Sequence, residues 1–183
     1  MLILRAIYFA TTAHKGQNRK GKKESYITNP LSVGLLLAHS GAEEKVVIAG
    51  ILHDTIEDTD VTYEDLKREF GEEIAEMVND VTEQDTSLSW ADRKRIALEH
   101  VKDMSDEAVL VKTADVLHNM SDLLEDYKTE GDDIFKRFNA PKNAQLERYN
   151  KLVMALKKKN GHNPLLVHLE KAYQEFLESA GKS

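Results

Sequence analysis

The apolar positions of this 183-residue chain recur three and four residues apart almost from end to end, a spacing that predicts helices throughout. Leu2, Ile3, Ala6, Ile7, Ala10 and Ala13 form a first stripe. A second helix should open at Asn29-Pro30, where Asn can cap and Pro can take the first helical position, and run through Leu31, Val33, Leu35, Leu36 and Leu37. Gly41 breaks it. From Glu43 to about Asp54 a third helix follows, and Val46, Val47, Ile48, Ala49, Ile51 and Leu52 leave it apolar on nearly every side, which marks it as central.

Thr62-Tyr63-Glu64-Asp65 has the form of a capping box and opens a fourth helix that stops near Gly71. A fifth runs from about Glu72 to Val81, with Ile74, Ala75, Met77, Val78 and Val81 inward. Thr82 to Leu88 reads as a loop, and Ser89 starts a sixth helix reaching about Lys102, in which Trp90 is expected to pack in the core or as a staple. Ser105 opens a long helix to about Tyr127 that carries Asp115 and Asn119 as i, i+4 neighbours. After a polar segment from Lys128 to Ala140, Pro141 begins another helix and Asn163-Pro164 the last; His162 and His168 fall at surface positions. With only three prolines and nine glycines, the pattern is all-α, a bundle of about eight to ten helices.

Polar residues interrupt this apolar pattern in two places that carry chemistry. One is His53-Asp54-Thr55-Ile56-Glu57-Asp58 at the end of the central helix. A helical rotation of about 100° per residue would set His53 beside Asp54 and return Glu57 and Asp58 to the same flank. Carboxylates so close together raise one another's pKa and resist burial unless positive charge compensates, and a divalent metal is the usual source. Imidazole with carboxylate suits Mn, Fe, Zn or Ni better than the oxygen-only shell of Ca or Mg. Two adjacent residues cannot complete a shell. The second interruption, Asp115 in an Asp-x-x-His-Asn segment, supplies the candidate third ligand.

Composition narrows the field. The length suits one domain, residues 1–183, and 41% hydrophobic with 31% charged residues is ordinary for a globular protein. The absence of cysteine excludes disulfides, thiolate catalysis and Cys-ligated metal. No run approaches eighteen consecutive apolar residues and no cleavable leader is apparent, so the expected location is the cytoplasm and no membrane partner is expected. A formal net charge of −7 argues against duplex nucleic acid as a partner. Lys15 to Lys23 is a local exception: five positive charges and no negative one in a Gly-containing loop, which either converges on a compact anion or is simply solvated.

Several ordered blocks give a family likeness: Ala13-His14-Lys15-Gly16-Gln17-Asn18-Arg19-Lys20, Tyr26-Ile27, Gly50 to Thr59, Phe70-Gly71, Val81-Thr82, and Lys112 to Met120. From about Ala6 to Lys151 the chain resembles the HD-domain hydrolases of the RelA/SpoT type, in particular the stand-alone small alarmone hydrolases. The resemblance implies an all-helical HD-domain bundle that removes pyrophosphate from the 3′ position of guanosine tetra- or pentaphosphate with Mn²⁺, a small-molecule nucleotide being the partner. Carried over by position, His53, Asp54 and Asp115 would hold the metal, and Glu57 and Asp58 would orient or deprotonate the attacking water. Arg19 and Lys20 would face base and phosphates, and Asn119 the ribose or phosphate region.

The chain departs from the family at Asn29, where the resemblance places a His, before Pro, as first metal ligand. A neutral amide oxygen is a weaker donor than imidazole, so Asn29 should be a weak ligand or none. The loop Gly21 to Ser25 is also one residue longer than the family's and lacks its Pro before the Tyr. Two alternatives stand beside the alarmone hydrolase: an HD phosphohydrolase for another nucleotide, and a degenerate module that binds nucleotide without cleaving it. Within these 183 residues no synthetase half is expected, and no oligomeric state is assigned.

Overall fold

The computed structural model of the chain describes residues 1–83 and 87–181. Ten α-helices occupy them, namely α1 Leu2–Ala13, α2 Thr28–His39, α3 Glu44–Leu52, α4 Thr55–Asp58, α5 Tyr63–Phe70, α6 Glu72–Val81, α7 Trp90–His100, α8 Asp106–Glu130, α9 Lys142–Lys159 and α10 Leu166–Ala180, with a 3-10 helix at Gly131–Arg137. Among the described residues no strand forms beyond one isolated bridge between Asn18 and Ser25, so the all-α expectation holds.

The central helix is the one its sequence marks. Every residue of α3 from Val46 to Leu52 is buried, and α3 packs against α1, α2, α6 and α8. Its approach to α2 is close because two glycines face the partner helix. A Cβ on Gly50 would stand 2.2 Å from Leu37 Cδ1, and one on Gly34 would stand 2.4 Å from Ile51 Cγ1, distances that no packed side chain tolerates. The crossing sets the end of α3, with its His, against the start of α2, with its Asn. Fully buried Leu37, Ile48, Leu52, Leu66, Met120, Leu156, Leu169 and Phe176 tie the outer helices to this centre, each side chain stabilising by about 1.5–3 kcal/mol when removed from water.

The predicted caps form. Thr62 Oγ1 accepts from Asp65 N (3.2 Å) while the Asp65 carboxylate accepts from Thr62 N (3.1 Å). Ser89 and Ser105 accept from the backbone N–H groups of Asp92 (3.2 Å) and Ala108 (3.1 Å). The inward residues of α6 are the five expected.

Five details differ. First, α2 begins at Thr28, so Asn29 is inside the first turn and caps nothing; Pro30 remains in that turn, where its missing N–H has no helical partner to lose. Second, the helix expected to reach Asp54 ends at Leu52. The His53 ring donates from Nδ1 to Gly50 O (2.8 Å) and Thr55 Oγ1 donates to Leu52 O (2.7 Å), so side chains take carbonyls that the next turn would have used. Third, α8 runs to Glu130 and stops at Gly131, whose φ of +60° suits glycine. Fourth, the segment expected to be polar carries the 3-10 helix, because Ile134 and Phe135 are buried, the latter with its ring 6.4 Å from that of Phe176. Fifth, α7 buries no residue, and Trp90 is half-buried rather than a core side chain. Of the loop expected from Thr82 to Leu88, residues 84–86 lie outside the described residues.

Candidate metal and nucleotide site

The turn between α3 and α4 aims His53 and Asp54 at α8. The His53 ring is 3% exposed, and because Nδ1–H is committed to Gly50 O, Nε2 is the nitrogen left for a ligand. Nε2 lies 3.0 Å from Asp54 Oδ1 and 3.6 Å from Asp115 Oδ1, yet it is aligned for a hydrogen bond with neither. A buried nitrogen facing two carboxylate oxygens calls for positive charge. Burial by itself would push the His53 imidazole down, but the flanking Asp54 and Asp115 more than reverse this and hold its proton affinity well above the usual range. Burial likewise opposes ionisation of Asp115, and the Lys112 ammonium at 3.4 Å, with His53, holds its carboxyl far below normal.

Asn119 is turned by Asp115, one helical turn away on α8. Asp115 can only accept, so Asn119 directs Nδ2 at Asp115 Oδ1 (2.5 Å) and leaves its own Oδ1 to accept from Arg19 (3.1 Å) and from Asn29 Nδ2 (3.3 Å). The Asn29 amide group also faces His118 Nδ1 (2.9 Å). With its NH₂ thus engaged, Asn29 Oδ1 is left buried and without a partner in a residue 1% exposed. A bare carbonyl oxygen at that depth costs about 1–3 kcal/mol unless something donates to it or coordinates it. Among the described residues no three His, Asp or Glu side chains stand where they could hold a metal ion as they are placed; His53, Asp54 and Asp115 are drawn onto one another as an ion-paired cluster. By chemistry rather than by present spacing the donor types suit a divalent ion: two carboxylates and an imidazole that would give up its proton to it, with the unsatisfied Asn29 amide oxygen buried nearby.

Glu57 and Asp58 do not share one flank as a continuous helix would have placed them. Glu57 Oε2 accepts from the backbone N–H of Glu83 (3.1 Å), and burial, with Glu83 and Asp54 nearby, pushes its carboxyl from 4.5 up to about 7. Asp58 meets Asp54 through Tyr26, whose hydroxyl lies 2.5 Å from Asp54 Oδ2 and 2.7 Å from Asp58 Oδ2. Burial raises the Asp58 carboxyl.

Beside this cluster opens a cavity of about 270 Å³ whose walls carry six cations, Arg19, Lys20, Lys22, Lys94, Arg137 and Arg148, against two carboxylates, Asp122 and Asp126. The basic loop expected from the sequence supplies three of the six. It is a short hairpin closed by Tyr26 N to Gln17 O (2.9 Å) and Arg19 N to Glu24 O (2.9 Å). Asp122 and Asp126 hold it down, through Arg19 (2.8 Å) and Lys22 (2.7 and 2.8 Å). Lys20 is exposed and reaches Asn139 Oδ1 (3.3 Å). Tyr26, Trp90, Phe138 and Tyr149 give the cavity its aromatic surface. A larger groove of about 990 Å³ between α2, α8 and α10 includes none of His53, Asp54 or Asp115.

The structure therefore brings together Arg19, Asn29, His53, Asp54, Asp115 and Asn119, with Glu57 and Asp58 at the rim, while Lys20 stands apart from that cluster in the wall of the adjoining cavity. No site role was expected for Tyr26, Lys112, Lys94 or Arg148, although Tyr26 and Lys112 stand in the blocks that carry the family likeness. Lys112 carried a signal, as a cation three residues before Asp115 in an apolar helix; Lys94 and Arg148 lie on solvated-looking helices and carried none.

A family model described as HD domain matches residues 6–146. A guanosine-3′,5′-bis(diphosphate) 3′-pyrophosphohydrolase of Xenopus tropicalis is 43% identical over 125 residues, 67% of this chain and 69% of that protein. The Homo sapiens protein of the same name is 38% identical over 124 residues, 66% of this chain and 69% of its own length. The bifunctional (p)ppGpp synthase/hydrolase SpoT of Escherichia coli is 38% identical over 127 residues, covering 66% of this chain and 18% of that protein. Among solved structures, a metazoan ortholog of SpoT described as hydrolyzing ppGpp superposes with a TM-score of 0.79 at 27% identity, covering 94% of each chain. A Listeria monocytogenes protein superposes at 0.72 and 28% identity, over 84% of this chain and 99% of that one.

Proposed function

Since the chain belongs to the HD-domain family, we propose that it is a metal-dependent phosphohydrolase that removes the 3′-pyrophosphate from guanosine 3′,5′-bis(diphosphate) and its 5′-triphosphate form. The observation that carries the reading is the convergence of His53, Asp54 and Asp115 from two elements, with His53 Nε2 facing both carboxylates, beside a cavity lined by cations.

His53 Nε2, Asp54 Oδ1 and Asp115 Oδ1 would hold the ion, which we take to be Mn²⁺, with Asn29 Oδ1 as a weak fourth donor. When bound, the ion supplies neutralisation of charge on the phosphoryl oxygens and acidification of a water. Glu57, whose carboxyl burial raises to about 7, would take a proton from the attacking water near neutrality, and Asp58 would orient that water. The new water–phosphorus bond forms as the bond from phosphorus to the 3′ oxygen breaks, releasing pyrophosphate; the 3′ oxygen takes a proton from solvent or from the acid just formed. Arg19 and Lys20 give charge-assisted contacts to phosphates, and Lys94 and Arg148 extend that field across the cavity. Asn119, already turned by Asp115, reaches the ribose or phosphate region. No covalent enzyme intermediate is needed.

The test is direct. The purified chain with Mn²⁺ and ppGpp, resolved by anion-exchange chromatography, should yield GDP and pyrophosphate, and Asp54→Ala should yield neither; hydrolysis undiminished in that variant would overturn the proposal. Asn29 favours a second reading, a domain that binds nucleotide without cleaving it. Tight calorimetric binding of ppGpp with no product at saturating Mn²⁺ would establish that reading instead.

A further inference from the structure

Tyr26 stands where three parts of the site meet. Its backbone N–H donates to Gln17 O (2.9 Å), and the Gln17 amide group donates to the Asp58 backbone carbonyl (2.7 Å), so one residue pins both the tyrosine and the backbone that bears the rim carboxylate. The phenol ring is backed by the His14 imidazole, 4.9 Å between centroids, and the Arg19 guanidinium lies over it at 5.9 Å. Thus placed, the hydroxyl lies 2.5 Å from Asp54 Oδ2 and 2.7 Å from Asp58 Oδ2. The other Asp54 oxygen, Oδ1, is the one that faces His53 Nε2 at 3.0 Å.

We propose that Tyr26 is a positioning residue of this site. By occupying Asp54 Oδ2 its hydroxyl fixes the carboxylate so that Oδ1 alone is presented beside His53, and by reaching Asp58 Oδ2 it sets where that carboxylate stands relative to the same point. Without the hydroxyl, Asp54 is free to rotate about its side-chain bonds, and Asp58, which is exposed, loses the hydrogen bond that ties its carboxylate to the cluster. Partners that orient a ligand from outside typically change metal affinity or activity by about 10–100-fold when removed. The inference rests on the metal-site reading above and adds to it a residue that touches neither ion nor reacting atom.

Tyr26→Phe keeps the ring, its contact with His14 and its place under Arg19, and removes only the oxygen. In the full chain, calorimetric titration with Mn²⁺ should show Kd weakened by about 10-fold or more, and steady-state hydrolysis should show kcat reduced by about 10–100-fold with KM nearly unchanged. A purely structural role would instead lower the thermal midpoint and leave both constants in place. Asp58→Asn is the second variant: the hydroxyl then still holds Asp54, so Kd should stay within about twofold while kcat falls, and adding Tyr26→Phe to it should again weaken Kd. If Tyr26→Phe fails to fold, Asp58→Asn decides alone, and a Kd that moves as far as kcat overturns the proposal. A wild-type chain that binds no Mn²⁺ sinks both this inference and the metal-site reading; a wild type that binds and cleaves, with Tyr26→Phe unaltered in Kd and kcat, overturns the positioning role only.

Discussion

Replacing Glu57 by Gln should make the metal-free protein more stable in mild alkali and leave it unchanged in acid. The Glu57 carboxyl is raised from 4.5 to about 7 by burial, with Glu83 and Asp54 adding repulsion. The folded state therefore retains a proton that the unfolded state has already released, so stability falls as pH climbs from 4.5 through 7. One pKa unit corresponds to about 1.36 kcal/mol, so the full penalty above pH 8 is about 3 kcal/mol. Gln is neutral at every pH and its oxygen can still accept from Glu83 N, so it stands in for the protonated acid. Urea denaturation in chelator at pH 4 should give wild type and Glu57→Gln equal stability, and at pH 8 should favour the variant by up to about 3 kcal/mol. The same substitution should lower kcat by about 100-fold or more, because the neutral amide accepts no proton from water. A stability difference that does not vary with pH, or a variant less stable at pH 8, would refute the assignment of a strained, proton-holding carboxylate to this position.

Asn29→His should tighten Mn²⁺ binding by about 10-fold or more in calorimetry, since it exchanges an amide oxygen for an imidazole at a position already facing the cluster; an unchanged Kd would remove Asn29 from the shell. Gly50→Ala forces a methyl into Leu37 and should cost about 1–3 kcal/mol by urea denaturation, with Mn²⁺ affinity falling as α3 shifts relative to α2; full stability would refute the close helix crossing.

Much of the fold is legible because helices declare themselves locally. Capping at Thr62, Ser89 and Ser105, the apolar perimeter of α3 and the inward face of α6 all depend on residues within a few positions of one another. The misreadings arise where a side chain acts on something distant. Asn29-Pro30 has the local form of a helix start, yet the amide is drawn away from capping by His118 and Asn119, roughly ninety residues along the chain. The central helix has the pattern to continue past Leu52, but His53 and Thr55 use their side chains to end it. Trp90 has the composition of a core residue, and the helix that bears it instead forms a wall of the cavity.

The sequence by itself determined that this chain is helical, that α3 lies at its centre, and that His53, Asp54 and Asp115 are polar exceptions in apolar surroundings, because hydrophobic periodicity and the cost of burying charge are properties of short segments. Only the tertiary structure decided that His53 offers Nε2, that Asn29 is left with an unpaired oxygen, that Tyr26 joins Asp54 to Asp58, and that Glu57 turns toward Glu83. Each of these is a pairing between groups far apart in the chain, set by how closely helices cross and by which donor reaches an acceptor first. Spacing along a sequence carries no record of that competition.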